Sequence, residues 1–367
     1  MRLSCILQDR NNGLTQSRVL LALLVLLDHQ YVLFQIPKPA LLSGALTPSG
    51  FAVNMFIFMS GLLCYISRSR NGIPRFLMLR IVRIFPGYVA CLALSSIVFI
   101  PLLAHLSMDV TSDTYRPFLG TLKASVHYFL GNIAFTQNLY LPPSLHIDNP
   151  FPAINGSLWT LQPEIMGYIL IAILYPLINL RPRPFAVLLI LGATTLALLP
   201  DLMRDFIRTL LGGYGFETAT NSHLSLAVYL LSGIIYSVYA CKIDINKRMV
   251  AIFLIILAIS LSLDVRLFQI ISPIILPYVF IGCCWFIRWP WGAKADWSYG
   301  VYLYSFPLQQ IAWSLQHNNL ITNNYWVLLG LVSVVAIVFG AISYYLVEHP
   351  SRLGILRMSE SVISKQA

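Results

Sequence analysis

Arg18, Ala22, Val25 and His29 follow one another at spacings of four, three and four, which puts them on one stripe of a helix. Arg18 and His29 then lie roughly 16 Å apart along that helix and can line one conduit without touching. Histidine is the side chain whose charge changes nearest neutral pH, so His29 is the expected general base. The alternative is a neutral imidazole bonded to a neighbouring helix. Asp28 points off the stripe and is a poor partner for His29. Arg80 and Arg83 are three apart on one helical face, where paired guanidiniums suit the phosphates of a donor; such residues also serve as topological anchors at a cytoplasmic membrane edge. Glu164 falls at a depth similar to His29, where a carboxylate could orient the imidazole or hold an acceptor hydroxyl. Tyr302 and Ser305, near Pro307, could line a polar cavity in a kinked helix or bond between helices. Trp159 is a substrate contact or an interfacial anchor, and Glu348 is expected to partner a basic residue.

These groups sit in an unusually apolar chain. The 367 residues are 57% hydrophobic and only 10% charged, where a soluble domain would carry about a quarter. Apolar runs near twenty residues long predict an all-α integral membrane protein, one domain over 1–367, with about ten transmembrane helices. The expected spans are 17–36, 50–67, 84–104, 158–179, 184–200, 223–240, 249–264, 267–288, 298–315 and 325–347. The stretch 121–140, interrupted by Lys123, His127, Gly131 and Asn132, reads as re-entrant or interfacial. With both termini cytoplasmic, eighteen Lys and Arg fall inside against six outside, and an eleventh span would reverse that asymmetry. The formal charge of +10 is therefore topology rather than a nucleic-acid surface. Six cysteines without a CxxC pair argue against a disulfide framework or a metal site. The long external segments 105–157 and 201–222 carry Asp109, Asp113, Asp148, Asp201, Asp205 and Glu217, a composition that suits a carbohydrate.

Six segments together resemble the acyltransferase-3 family of bacterial membrane O-acyltransferases. They are Arg18 to His29, GFAVNMFIFMSGLL at 50–63, Arg80 to Tyr88, Asn155 to Glu164, SYGVYLY at 298–304, and the late E-x-P from Glu348 to Pro350. The resemblance implies transfer of an acetyl or other short acyl group from acyl-CoA, without a bound cofactor, to O-antigen, capsule or exopolysaccharide in the inner membrane. It implies that His29 is catalytic, that Arg18 is implicated, and that Arg80 and Arg83 bind the CoA donor. Many members carry histidine where this chain has Ser305, so no second catalytic histidine is expected there. The SGNH-type domain of longer members is not expected after the last span.

The expected mechanism docks acyl-CoA from the cytoplasm on Arg80, Arg83 and Arg18. His29 deprotonates a sugar hydroxyl, with Glu164 as the orienting group. A covalent intermediate on Ser60, Ser305 or His29 stays open. The acceptor is a lipid-linked or polymeric carbohydrate; membrane lipid surrounds the chain, and homo-oligomerisation is left open. The rival reading is a secondary transporter using intramembrane His and Glu as a proton relay, although no internal repeat supports it. A third is a scaffold for polysaccharide assembly, in which His29 would be dispensable.

Overall fold

The computed structural model describes residues 1–9, 11–39, 47–106, 118–136, 139, 149–199, 220–287 and 295–354. Asp109, Asp113, Asp148, Asp201, Asp205 and Glu217 of the expected acceptor segments lie outside them. The described residues form the helices α1 (Leu3–Gln8), α2 (Leu14–Leu33), α3 (Pro48–Arg70), α4 (Ile73–Leu94), α5 (Ile100–Leu106), α6 (Phe118–Asn132) and α7 (Leu161–Leu180). They continue as α8 (Pro182–Leu198), α9 (Thr220–Val238), α10 (Lys247–Leu263), α11 (Val265–Phe286), α12 (Ser298–His317) and α13 (Tyr325–Ser343). π-helical turns follow α4 at Ser95–Phe99 and α13 at Tyr344–Glu348.

Polar residues stop and start these apolar helices where the backbone loses its internal partners. Thr47 accepts from Gly50 N at 3.1 Å ahead of Pro48, Asn246 from Met249 N at 2.8 Å, and Asn324 from Trp326 N at 3.0 Å. Large apolar side chains such as Ile97, Ile173, Val334 and Leu346 face outward, which water would penalise and a hydrocarbon solvent does not.

Among the described residues, five segments are long and apolar enough to cross a membrane: Pro48–Arg70, Ile73–Leu106, Gly156–Leu180, Val265–Phe286 and Tyr325–Gly354. Each coincides with an expected span. The expected spans 17–36, 184–200, 223–240, 249–264 and 298–315 coincide with α2, α8, α9, α10 and α12, which are shorter or more polar. In the 121–140 stretch the helix is α6, whose 15 residues reach about 22 Å, short of a hydrocarbon core of about 30 Å.

The described chain groups into two compact units. One holds Met1–Arg18, Leu41–Leu77 and Pro163–Lys294; the other holds Val19–Ala40, Met78–Gln162 and Ala295–Ala367. In the first, α3 crosses α9 through Gly61 and Gly233, where a Cβ would lie 2.2 Å from Leu230 O and 2.1 Å from Phe58 O respectively. In the second, α12 packs on α13 at Gly300 and Gly340.

Prolines interrupt four of the apolar helices, and at three of them a side chain repairs the loss. Proline has no N–H, so the carbonyl four residues earlier loses its helical donor. Pro176 orphans the Ala172 carbonyl, which accepts from Arg68 Nε at 3.3 Å. Pro277 orphans that of Pro273, which accepts from Ser232 Oγ at 2.6 Å. Pro307 orphans that of Leu303, which accepts from Asn155 Nδ2 at 2.8 Å. With no water in a bilayer core to satisfy them, such carbonyls need protein donors.

Candidate active site

The second unit carries His29. Ala22 and Val25 are 0% and 1% exposed, so the stripe is the buried face of α2, with Arg18 and His29 partly exposed at its ends. The face between them is therefore packed rather than an open conduit. Asp28, itself buried, pairs with Lys38 at 2.9 Å. The imidazole meets Phe306 of α12 edge to face, with ring centroids 5.0 Å apart. Its Nδ1 is buried and has no hydrogen-bond partner among the described residues. One turn along α12, Gln309 Nε2 donates to Leu26 O at 2.9 Å and to Gln30 Oε1 at 3.0 Å. Phe306 and Gln309 thus hold α2 on both sides of His29.

The other face of this part of α12 is held by the segment before α7. Tyr302 donates its hydroxyl to Ser157 O at 2.7 Å and lies 2.7 Å from Thr160 Oγ1, so it bonds between elements. Ser305 is fully buried and donates to Tyr302 O within its own helix at 3.2 Å. The Tyr302 hydroxyl thus bonds between elements and that of Ser305 within α12. Trp159 is partly exposed in the 3-10 turn Gly156–Thr160.

Arg80 and Arg83 lie on α4, both partly exposed. Arg83 Nη2 is 3.5 Å from Asp296 Oδ2. Asp296 also accepts from Ser298 Oγ. Nearby, the fully buried Glu348 accepts from Ser343 Oγ at 3.0 Å and pairs with Arg352 at 3.8 Å, the basic partner expected of it. Tyr299 donates to Ile84 O at 2.9 Å.

The first unit holds Glu164 and Arg18. Glu164 accepts from Ser60 Oγ at 2.9 Å and from the Tyr168 hydroxyl, so its carboxylate is held in place by two donors. Arg18 follows Gly13, whose φ of +76° and position against Cys284 O admit no side chain: a Cβ there would lie 2.1 Å from that oxygen. Among the described residues no group of His, Cys, Asp and Glu is arranged to hold a metal ion.

A family defined as an acyltransferase domain matches residues 11–345, which takes in every segment above except the late E-x-P motif at 348–350. The chain belongs to the acyltransferase-3 family. An O-acetyl transferase of Shigella phage Sf6 is similar to it, 25% identical over 318 residues, covering 84% of this chain and 87% of that protein. No solved structure matches the chain significantly.

In this acyltransferase-3 protein, segments far apart in sequence meet inside the second unit. Gly87, in the Arg80-to-Tyr88 segment, has no Cβ; one would lie 2.9 Å from the Tyr299 ring and 3.3 Å from Glu348 Cγ. The arginine segment, SYGVYLY and the late E-x-P therefore share one packing site. Asn155 and Gly156 in turn lie against Leu303 and Phe306. Three participants escaped the sequence reading. Asp296 lay in a run read only as a cytoplasmic loop, and Arg352 was counted only for topology. Asn155 was noted only as the start of a motif. A signal for it was present: Pro307 requires a donor for Leu303 O, and an amide side chain is a suitable one.

Proposed function

We propose that this membrane acyltransferase moves an acetyl group from cytoplasmic acetyl-CoA to a hydroxyl of a cell-surface carbohydrate, such as an O-antigen, capsule or exopolysaccharide unit. The observation that carries the reading is the acyltransferase match along residues 11–345. The similarity to an O-acetyl transferase supports acetyl as the group and oxygen as its acceptor. The asymmetry of Lys and Arg supports ten spans in a bacterial inner membrane with both termini cytoplasmic and 121–140 re-entrant or interfacial.

In this scheme Arg80 and Arg83, with Arg18, bind the phosphates of the donor. His29 takes the proton of the acceptor hydroxyl as that oxygen attacks the thioester carbonyl. The resulting tetrahedral intermediate expels the thiolate, breaking the C–S bond, and the thiolate recovers the proton from His29. The products are the sugar ester and free CoA. With Nδ1 buried, Nε2 is the nitrogen assigned to proton transfer. Glu164, held by Ser60 and Tyr168, is the second proposed catalytic group. Trp159, Tyr302 and Ser305 are assigned to the acceptor.

The test supplies labelled acetyl-CoA and glycolipid extract to membranes containing matched amounts of wild type, His29→Ala or Arg80→Ala/Arg83→Ala. The expected outcome is label on a glycan with wild type, none above background with His29→Ala, and a raised donor KM in the arginine variant. Glycan labelling that survives His29→Ala would remove His29 from the chemistry.

A further inference from the structure

We propose that Asn155 is a positioning residue for the His29 imidazole, acting through the turn of α12 that Pro307 interrupts. The inference rests on the reading of His29 as the base. Pro307 stands between Phe306, which packs against His29 at 5.0 Å, and Gln309, which bonds Leu26 O and Gln30 Oε1 of α2. It also deprives Leu303 of its helical donor, so this turn is free of the hydrogen bond that would otherwise set its geometry.

What sets it instead comes from another part of the chain. Asn155, fully buried, donates Nδ2 to Leu303 O at 2.8 Å, and Cys91 Sγ lies 3.5 Å from the same oxygen. Asn155 is itself fixed, because its Oδ1 caps the following 3-10 turn by accepting from Ser157 N at 3.1 Å. Its neighbour Gly156 lies so close to the Phe306 ring that a Cβ would approach it to 2.7 Å. Gln310 ties the same turn to the same segment by donating Nε2 to Phe151 O and Ala153 O, each at 2.6 Å. The contacts thus run from Asn155 to Leu303 O, along one turn to Phe306, and from Phe306 to His29. Each link lies within one unit of the fold. A base must sit within hydrogen-bond reach of the proton it takes, so a small displacement of this turn acts on the chemical step and leaves the donor phosphates untouched.

The experiment uses the full-length protein in membranes, with transfer of labelled acetyl from acetyl-CoA as the readout. Asn155→Ser keeps an oxygen able to cap Ser157 but is too short to reach Leu303 O. It is expected to lower kcat by about ten- to a hundredfold while donor KM stays within about twofold. Adding Pro307→Ala returns a backbone N–H to Leu303 O, and the double variant is expected to recover to the level of Pro307→Ala alone. An unchanged kcat in Asn155→Ser, or a double variant no better than Asn155→Ser, overturns the inference. If Asn155→Ser does not accumulate, or if Pro307→Ala alone is inactive, Gly156→Ala carries the test. Its Cβ displaces Phe306 without touching Leu303 O, and kcat must again fall at constant donor KM; normal kcat overturns the proposal. His29→Ala in parallel separates the two levels. Transfer surviving His29→Ala defeats the catalytic assignment itself, whereas loss with His29→Ala beside normal Asn155→Ser and Gly156→Ala defeats only the positioning role.

Discussion

Gly233→Ala should weaken the first unit through a single methyl group. At the α3–α9 crossing the new Cβ would lie 2.1 Å from Phe58 O and 2.7 Å from Leu62 N, where ordinary contact begins near 3.4 Å. Both obstacles are backbone atoms of the facing helix, so no rotamer change relieves them, and the helices must part by about 1 Å. The crossing buries Phe58, Leu62, Leu230 and Ile234, whose packing loosens with it. Overpacking of this kind costs about 3 kcal/mol at the upper end of its usual range. Alanine returns about 1 kcal/mol in helix propensity. The net loss of about 2 kcal/mol corresponds to a fall in melting temperature of about 4–8 °C for a cooperative unit of this size. Gly330→Ala on α13 is the control, because a Cβ there meets nothing within 4 Å and only the propensity gain applies. Thermal unfolding in one detergent at one scan rate, followed by loss of monodisperse protein, measures the difference. Equal melting temperatures for Gly233→Ala and Gly330→Ala would refute the close backbone crossing.

Gly13→Ala is expected to raise donor KM several-fold, because its positive φ and the Cys284 carbonyl leave no room for a Cβ five residues before Arg18; steady-state titration of acetyl-CoA reads this, and an unchanged KM contradicts it. Asp296→Asn keeps an acceptor for Ser298 but removes the charge 3.5 Å from Arg83, a partly exposed pair worth roughly 1 kcal/mol at most. If Arg83 serves the donor phosphates, acetyl-CoA KM falls by up to about fivefold and its salt dependence steepens; a rise in KM would count against that role.

Much of the candidate site was legible because it rests on local periodicity and composition. Arg18, Ala22, Val25 and His29 share a stripe as a consequence of the helical repeat, and the burial of Ala22 and Val25 follows from it. Glu348 was expected to find a cation because a carboxylate costs several kcal/mol in an apolar surrounding, and Arg352 lies one turn on. Apolar run length identified the membrane character, and among the described residues five segments meet it in length and hydropathy.

Partner choice over long separations was not legible. Asn155 reaches Leu303 across 148 residues, and Arg83 reaches Asp296 across 213. A sequence states that Pro307 leaves a carbonyl without a donor, but not which helix or loop will bring one. The same holds for Gly61, Gly87 and Gly233, whose missing side chains mean nothing until another backbone or ring arrives against them. By itself the sequence determined an apolar helical chain of the acyltransferase-3 family, with a histidine and arginines proposed for acyl transfer. Only the tertiary structure decided which groups hold that histidine, because hydrogen bonds and close packing act over a few ångströms and depend on which segments the fold makes neighbours.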